Sequence, residues 1–234
     1  MNTSGSSAAV AMAAPKNVVE RIIGIFTNPR ATMEDIAARP TWVIPLIIVV
    51  IASTAAGFLL KDVIVETTLS QMQEKNPNIP AEQLATTETW TRIMSWAGPL
   101  VFVPLFYVVL SAIFMFVGNT VLGGEAKYKS VFSMICWSGM ISLLSSVINI
   151  PVMISRGAME SATSLASLLS PDDSKSVFYY FLSQIDLFTI WWLVVIGFGM
   201  AAVYRFSTNK GMTAAFGLWA IYLVIAVGFK ALFS

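Results

Sequence analysis

The strongest constraint on this chain is the spacing of its charged residues, which leaves five long stretches without Asp, Glu, Lys or Arg. These stretches contain 21, 32, 26, 18 and 19 residues, together about half of the 234-residue chain. A helix needs about 20 predominantly apolar residues to cross a bilayer, with a range of about 17–25. We therefore predict five membrane spans, near residues 42–60, 98–120, 131–151, 187–205 and 212–230.

Composition and patterning exclude a soluble protein and a transmembrane β-barrel. Hydrophobic residues make up 56% of the chain and charged residues 12%, against roughly 25% charged residues in a soluble domain. Residues 43–51 read VIPLIIVVI, a continuous apolar run rather than the alternation of a barrel strand. Because backbone groups in lipid are satisfied within the segment, the predicted fold class is all-α: a polytopic integral membrane helical bundle with amphipathic N-terminal and extracytoplasmic helices.

The connections between the spans differ in charge. The first 41 residues and the turn at 125–129 each have a net charge of +1, and the turn at 205–210 has +2. The long connections at 61–92 and 156–186 each have a net charge of −2. Since short basic loops stay in the cytoplasm, we predict a cytoplasmic N-terminus and an extracytoplasmic C-terminus.

The chain before the first span is predicted to have two parts, ahead of a membrane domain over 40–234. Residues 1–15 have the Ser/Ala-rich composition of a disordered tail, and 16–39 are predicted to form cytoplasmic amphipathic helices. In the first helix Glu20 and Arg21 are expected to face away from a membrane-surface face. That face comprises Val18, Val19, Ile22, Ile23 and Phe26.

A second short helix is predicted after Asn28 as the N-cap, with Pro29 in the first helical position. Arg39-Pro40 is expected to end it. The two helices either lie on the cytoplasmic membrane surface or pack on the protein's own turns, and both alternatives remain open.

The two acidic connections are also predicted to be helical. Residues 76–80, NPNIP, divide the first into two arms. In the second, Ser170 is a candidate N-cap followed by Pro171 and two aspartates, so a helix is expected to lead into the fourth span. Asp186 is expected to be a solvated residue at the edge of that span.

No residue constellation points to catalysis, a metal or a cofactor. The chain has no His, which excludes His-containing triads and His metal ligands. The single Cys136 forbids an intramolecular disulfide and is expected to be a packing residue. The net charge of +1 gives no global field for nucleic acid. We therefore predict a protein that is not an enzyme and has no nucleic-acid partner.

One polar stripe lies in the third span. Ser138, Ser142, Ser145 and Asn149 recur at spacings of four, three and four residues, which places them on one helical face. Such residues let helices approach closely, or they line a wet path through the membrane. Pro151 is expected to end this span. The stripe is therefore a candidate helix contact or a candidate pathway.

Three segments resemble bacterial members of the Yip family, which is named for proteins that interact with Ypt/Rab GTPases. They are GIFTNPRATMEDIAARPTWVIPL at 24–46, GGEAKYKSVFSMICWSGM at 123–140 and IDLFTIWWLVVIGFGMAAVYRFSTNKGM at 185–212. The resemblance implies a five-span bacterial inner-membrane protein with its N-terminus in the cytoplasm and its C-terminus opposite. The DLYGP-like element of the eukaryotic relatives is not found in this sequence, so a Rab-type GTPase partner is doubtful.

The leading functional interpretation is a non-enzymatic Yip-type protein that organises the membrane or binds partners. Its expected partners are the lipid bilayer and other membrane proteins or further copies of itself. The alternative is a small transporter for lipids or hydrophobic compounds. No ionisable residue is predicted inside a span, which disfavours an ion-coupled transporter.

Overall fold

The structure is a computed structural model that describes residues 14–169 and 176–232. Within these residues the regular secondary structure is helical, so the predicted all-α class is confirmed. A π-helical turn, Val117–Val121, extends the fourth helix, and a 3₁₀ turn, Leu165–Leu168, precedes the seventh. The α-helices of the described part are α1 (Val18–Thr27), α2 (Pro29–Ala38), α3 (Val43–Lys75), α4 (Ala81–Phe116), α5 (Tyr128–Ser138), α6 (Ile141–Arg156), α7 (Val177–Ser183), α8 (Leu187–Tyr204) and α9 (Thr208–Leu232).

Five helical segments of the described chain are long and apolar enough to cross a membrane: α3, α4 with its π turn, α5 together with α6, α8 and α9. The protein is therefore an integral membrane protein with the predicted five spans, in contact with a lipid bilayer. The exact bilayer boundaries along these helices remain predictions. The expected stop at Pro151 is wrong, because α6 continues to Arg156. Membrane helices tolerate an interior proline where neighbouring groups satisfy the freed backbone.

Helix α5 is the centre of the bundle. All residues from Val131 to Ser138 are buried, and α2, α3, α4 and α8 all pack against this helix. By contrast, α3, α4 and α9 lie at the periphery, and their outer faces expose large apolar side chains. The surrounding lipid is as apolar as the interior of the bundle. The outer faces of these helices are therefore as hydrophobic as their inner faces.

Helices α3 and α4 form an antiparallel pair that is longer than a bilayer is thick. The pair turns at 76–80, so the predicted division of this connection into two helical arms is confirmed. At Gly57 a side chain would collide with the carbonyl of Ser95 on α4. The glycine therefore permits close backbone approach, as small residues do between membrane helices.

The two N-terminal helices begin and end at recognisable caps. Asn17 and Glu20 form a reciprocal capping box at the start of α1. Asn28 caps α2 and Pro29 takes its first position, as predicted. Most of the predicted tail at 1–15 lies outside the described residues, and so do the expected N-cap Ser170 and the Pro171 and two aspartates that follow it. The described helix α7 instead begins after the N-cap Ser176.

Candidate functional site

The polar stripe of the third span does not lie on one continuous helix. Helix α5 ends at Ser138 and α6 begins at Ile141. Gly139, at the break, faces the hydroxyl of Tyr107, which occupies the space that a Cβ would need. Ser138 and Ser142 each donate a hydrogen bond to a backbone carbonyl three residues earlier. Such local bonds compete with the regular helix, so the stripe is divided into separate environments.

Ser138 makes a helix-to-helix contact. Its side chain is fully buried, and its hydroxyl accepts a hydrogen bond from the indole nitrogen of Trp192 on α8 at 3.2 Å. The same hydroxyl donates to the carbonyl of Ile135 at 2.8 Å. Both hydrogen-bonding functions of this serine are therefore used inside the bundle.

Ser142 and Ser145 have a different environment, because they line a cavity of about 250 Å³ between α4, α6 and α8. The remaining wall is mostly aromatic and apolar, apart from Asp186 and Thr189 at the start of α8. The hydroxyl of Ser142 donates to the carbonyl of Gly139 at 2.7 Å. At this cavity the predicted stripe has room for a small ligand.

Asn149 belongs to a polar network that ties α6 to the connection before α8. Its amide nitrogen donates to the hydroxyls of Ser145 and Thr163, each at 3.2 Å. Its amide oxygen accepts the backbone N–H of Ala162 at 3.0 Å. Because Asn149 is 5% exposed, these bonds replace those that water would otherwise supply.

Asp186 is the anchor of the same network, which corrects the expectation of a solvated boundary residue. It is 9% exposed. One carboxylate oxygen caps α8 by accepting the backbone N–H of Phe188 at 2.8 Å and of Thr189 at 3.3 Å. The other accepts the hydroxyls of Ser161 at 2.7 Å and Thr163 at 2.5 Å. Four hydrogen-bond donors therefore surround the two carboxyl oxygens, and Asp186 makes no ion pair among the described residues.

Sequence reasoning missed Ser161 and Thr163. The available signal was Asp186 itself, since an Asp directly before a long apolar helix is typical of an N-cap. The two hydroxyls lie more than 20 residues before Asp186, and no periodicity connects them to it.

A larger groove lies on the outer surface of the bundle between α4 and α9, with α8 as its floor. Its volume is about 580 Å³. The lining is almost wholly apolar along its length, and polar groups from Ser183, Gln184 and Tyr222 gather at one end. The hydroxyl of Tyr222 donates to the amide oxygen of Gln184 at 3.3 Å.

The N-terminal helices are docked into the bundle. Val18, Ile22 and Phe26, three of the five residues of the predicted membrane-surface face, pack against the core. The ring of Phe26 meets that of Trp191 on α8 edge-on, with centroids 6.0 Å apart. The other two, Val19 and Ile23, are 62% and 56% exposed. Much of the apolar face of α1 therefore contacts protein.

Helices α1 and α2 form an N-terminal hairpin, and an ion pair lies where this hairpin meets α5. The expectation that Arg21 faces away is therefore wrong. The side chains of Arg21 and Asp35 are 6% and 7% exposed, and their nearest charged atoms are 2.7 Å apart. The Arg21 guanidinium also donates to the hydroxyl of Thr41 at 2.7 Å and lies 5.7 Å from the ring centre of Trp137. Arg39 donates to the second oxygen of Asp35.

The surroundings of Asp35 decide its charge. Burial alone would raise the pKa of this carboxyl, but hydrogen bonds from Arg39, Arg21 and the backbone N–H of Lys16 outweigh burial and hold the pKa below its usual value. Asp35 is thus an anion at neutral pH. The apolar periodicity of α1 gave no signal of this pair, because the partners lie on two helices.

The comparisons with known proteins agree with the architecture. The Yip1 domain matches residues 23–229, a range that begins inside α1 and ends near the end of α9. The chain is 25% identical over 210 residues to the membrane protein YknW of Bacillus subtilis (strain 168), and the match covers 88% of each chain. No solved structure matches the chain. Since the domain covers most of the sequence, the chain belongs to the Yip1 domain family.

Proposed function

We propose that this protein is a non-enzymatic protein of the bacterial inner membrane that binds other membrane proteins and so organises the membrane around it. The observation that carries this proposal is the α3–α4 hairpin, which extends well past the predicted ends of spans one and two. At about 1.5 Å per residue, the part of α3 from Lys61 to Lys75 is about 20 Å long. An arm of this length reaches beyond the headgroups and is accessible to proteins outside the bilayer.

The arm is built as a stable unit. Arg92 on α4 donates to Asp62 on α3 at 2.6 Å and to Glu88 on its own helix at 3.1 Å. Val63 and Val65 are buried at the base of the pair. Because α3 also packs against α4 more extensively than any other two helices of the described chain pack together, the arm is largely preformed, which lowers the entropy cost of binding a partner.

The surface of the arm has the chemistry of a protein-binding patch. The connection at 61–92 has a net charge of −2, and Trp90 is 60% exposed on it. Exposed aromatic residues surrounded by polar ones are typical of interface hot spots. We infer a partner with a basic rim around an apolar pocket.

The test compares two tryptophans on one helix. Trp90→Ala should abolish stoichiometric co-purification of the partner from native membranes in mild detergent, while Trp96→Ala, near the predicted bilayer edge, should leave it unchanged. A photo-crosslinking residue at position 90 should join the partner directly, and a second, differently tagged copy of this chain would reveal self-association. Equal recovery of bound protein with both alanine variants would contradict the assignment to the arm.

We infer that the interior polar groups have structural rather than catalytic roles. Ser138, Asn149 and Asp186 are each engaged in structural hydrogen bonds, and Cys136 is fully buried. Among the described residues no three His, Cys, Asp or Glu side chains could together hold a metal ion. The proposed orientation, N-terminus inside and C-terminus outside, is supported by the basic turns at 125–129 and 205–210.

We also propose that the outer edge of α1 touches the cytoplasmic membrane surface. Val19 and Ile23 are both more than half exposed on that edge, although their neighbours pack inward. Ile23→Asp should increase cleavage by trypsin after Arg30 in proteoliposomes but not in detergent, where no bilayer surface is present. Equal cleavage in both settings would exclude the membrane contact.

A transporter for lipids or hydrophobic compounds is the second candidate. The cavity beside Ser142 and Ser145 favours it, because a pathway needs space next to the polar side chains. Labelling of single cysteines along the stripe with a membrane-impermeant thiol reagent distinguishes a transport pathway from simple helix packing.

A further inference from the structure

The groove between α4 and α9 has the dimensions of one lipid chain. It runs from Phe106 to Phe114 along α4 and from Ala215 to Ile225 along α9, which corresponds to about 12–15 Å at a rise of about 1.5 Å per residue. The hydrocarbon core of a bilayer is about 30 Å thick, so one leaflet contributes about 15 Å. The groove is therefore as long as one leaflet is deep.

The groove opens toward the lipid rather than toward the interior of the bundle. Helices α4 and α9 do not form a packed pair in the described structure, and Phe106, Ile221 and Ile225 on the rim are all more than half exposed. The buried side chains of Leu193 and Ala215 form part of the floor. A lipid chain can thus enter sideways from the bilayer without opening the bundle.

The volume argues against a transmembrane helix as the occupant. A spanning helix about 10 Å wide and 30 Å long occupies more than roughly 2,000 Å³, whereas the groove holds about 580 Å³. That volume lies within the usual range of about 300–1,000 Å³ for small-ligand pockets. A single flexible apolar chain fits inside this volume, whereas a helix would enter it with only part of its surface.

The polar residues at one end of the groove suit the headgroup region of an amphiphile. Ser183, Gln184 and the hydroxyl of Tyr222 lie at the end nearest the start of α8, where Thr189 also lines the wall. These groups are neutral hydrogen-bonding partners, and tyrosine is typical of the membrane interface. The other end, by Phe114 and Ala215, is apolar, so the groove has one end for a headgroup and a body for a chain.

We propose that this groove binds one acyl chain of a phospholipid from the leaflet at the Gln184 end, with the glycerol and headgroup beside Gln184 and Tyr222. This inference goes beyond partner binding by the α3–α4 arm and does not depend on it. The bound chain seals the gap between α4 and α9, which would otherwise leave the floor of the groove poorly packed.

The experiment uses the full-length protein in proteoliposomes of phosphatidylethanolamine and phosphatidylglycerol that contain a phospholipid with a photoactivatable acyl chain. Peptide mapping should find the label concentrated on α9 at the groove rim. Ile221→Trp fills the groove and should lower this labelling roughly tenfold, which corresponds to a loss of ~1.4 kcal/mol of binding. Val224→Trp is the matched control: Val224 is 72% exposed on the same helix and does not line the groove.

Size-exclusion profiles and melting temperatures of both variants establish that they fold, and Leu218→Phe is a smaller filling change if Ile221→Trp misfolds. Labelling that is uniform over the exposed faces of α3 and α9 and unaffected by Ile221→Trp and Leu218→Phe would overturn the proposal. So would a crosslink from the groove to a second protein in place of lipid. Loss of the arm's partner in Trp90→Ala leaves the lipid result unchanged, so the two proposals fail separately.

Discussion

The buried ion pair between Arg21 and Asp35 should hold the N-terminal hairpin against the bundle. Asp35→Asn removes the charge but keeps the shape, and leaves the Arg21 guanidinium buried without a carboxylate. Breaking one partner of a buried pair typically costs about 3–5 kcal/mol. Arg21 keeps the hydroxyl of Thr41 at 2.7 Å and the carbonyl of Arg39 at 3.1 Å, so we expect a loss of about 3 kcal/mol, the lower end of that range.

The adjacent residue provides a matched control. Glu34 pairs with Arg30 at 3.3 Å, one turn away on α2, but both side chains are more than half exposed. Exposed pairs of this kind contribute about 0.3–0.5 kcal/mol. Glu34→Gln should therefore barely change stability, although it removes the same charge from the same helix.

Two measurements report the result. Thermal unfolding in detergent gives overall stability, and the rate of trypsin cleavage after Arg30 reports release of the hairpin. Asp35→Asn should lower the melting temperature and speed cleavage, while Glu34→Gln should do neither. The double variant Arg21→Met with Asp35→Leu should recover most of the loss, since apolar replacement of a whole buried pair is often neutral. Equal effects of Asp35→Asn and Glu34→Gln would refute the assignment of stability to this pair.

The same pair predicts a dependence on pH with a definite sign. The pKa of Asp35 is lowered in the folded protein, so the unfolded chain takes up a proton first as pH falls. The stabilisation is then fully present above the ordinary Asp pKa of about 3.9 and is lost as pH falls through the lower folded value. Hairpin release should be constant from neutral pH down to about 5 and should rise in stronger acid. Asp35→Asn should remove that rise.

Three further predictions address topology, the cavity and the cap of α8. Reporters fused after Lys129 and Lys210 should report the cytoplasm and a C-terminal fusion the opposite side, whereas matching signals at both termini would require an even number of spans. In a Cys136→Ala background, a cysteine at position 138 should react slowly with a membrane-impermeant thiol reagent, because Ser138 is buried at a helix contact; fast labelling at both 138 and 142 would favour the transporter. Asp186→Ala should destabilise the protein by about 0.5–2 kcal/mol and Asp186→Asn by less, because Asn is also a good N-cap; equal melting temperatures of these two variants would contradict the capping role.

The five spans could be predicted from sequence because lipid imposes a rule that each segment obeys by itself. A helix in hydrocarbon satisfies its own backbone bonds and excludes charge, so a stretch such as 40–60 identifies itself without knowledge of its neighbours. The start of α2 could be predicted for the same reason, since Asn28 and Pro29 act within one helical turn. Features that depend on a single helix can therefore be predicted from the local sequence.

The docking of α1 and the network around Asp186 could not be predicted in this way. An apolar helix face has the same periodicity whether it meets lipid or protein. The contact of Phe26 with Trp191 could therefore not be predicted from the sequence. Arg21 looked solvent-facing because its compensating carboxylate is on the next helix. The partition of the Ser138-to-Asn149 stripe likewise depends on Tyr107, which fills the space beside Gly139 from another span.

The position of α5 explains why these non-local bonds gather where they do. The hydroxyl of Ser133 and the indole nitrogen of Trp137 both donate to the carbonyl of Thr41 at 2.7 Å, which ties α5 to the residues just before α3. The hydroxyl of Ser138 accepts a hydrogen bond from the indole nitrogen of Trp192, which links α5 to α8. A helix buried on all sides has no water-facing surface for its polar atoms, so each must find a partner within the protein. Helix α9 packs against α8 and α7 instead, and its outer face is exposed. The proposed lipid groove therefore lies at the edge of the bundle, away from α5, which contributes no residue to its lining.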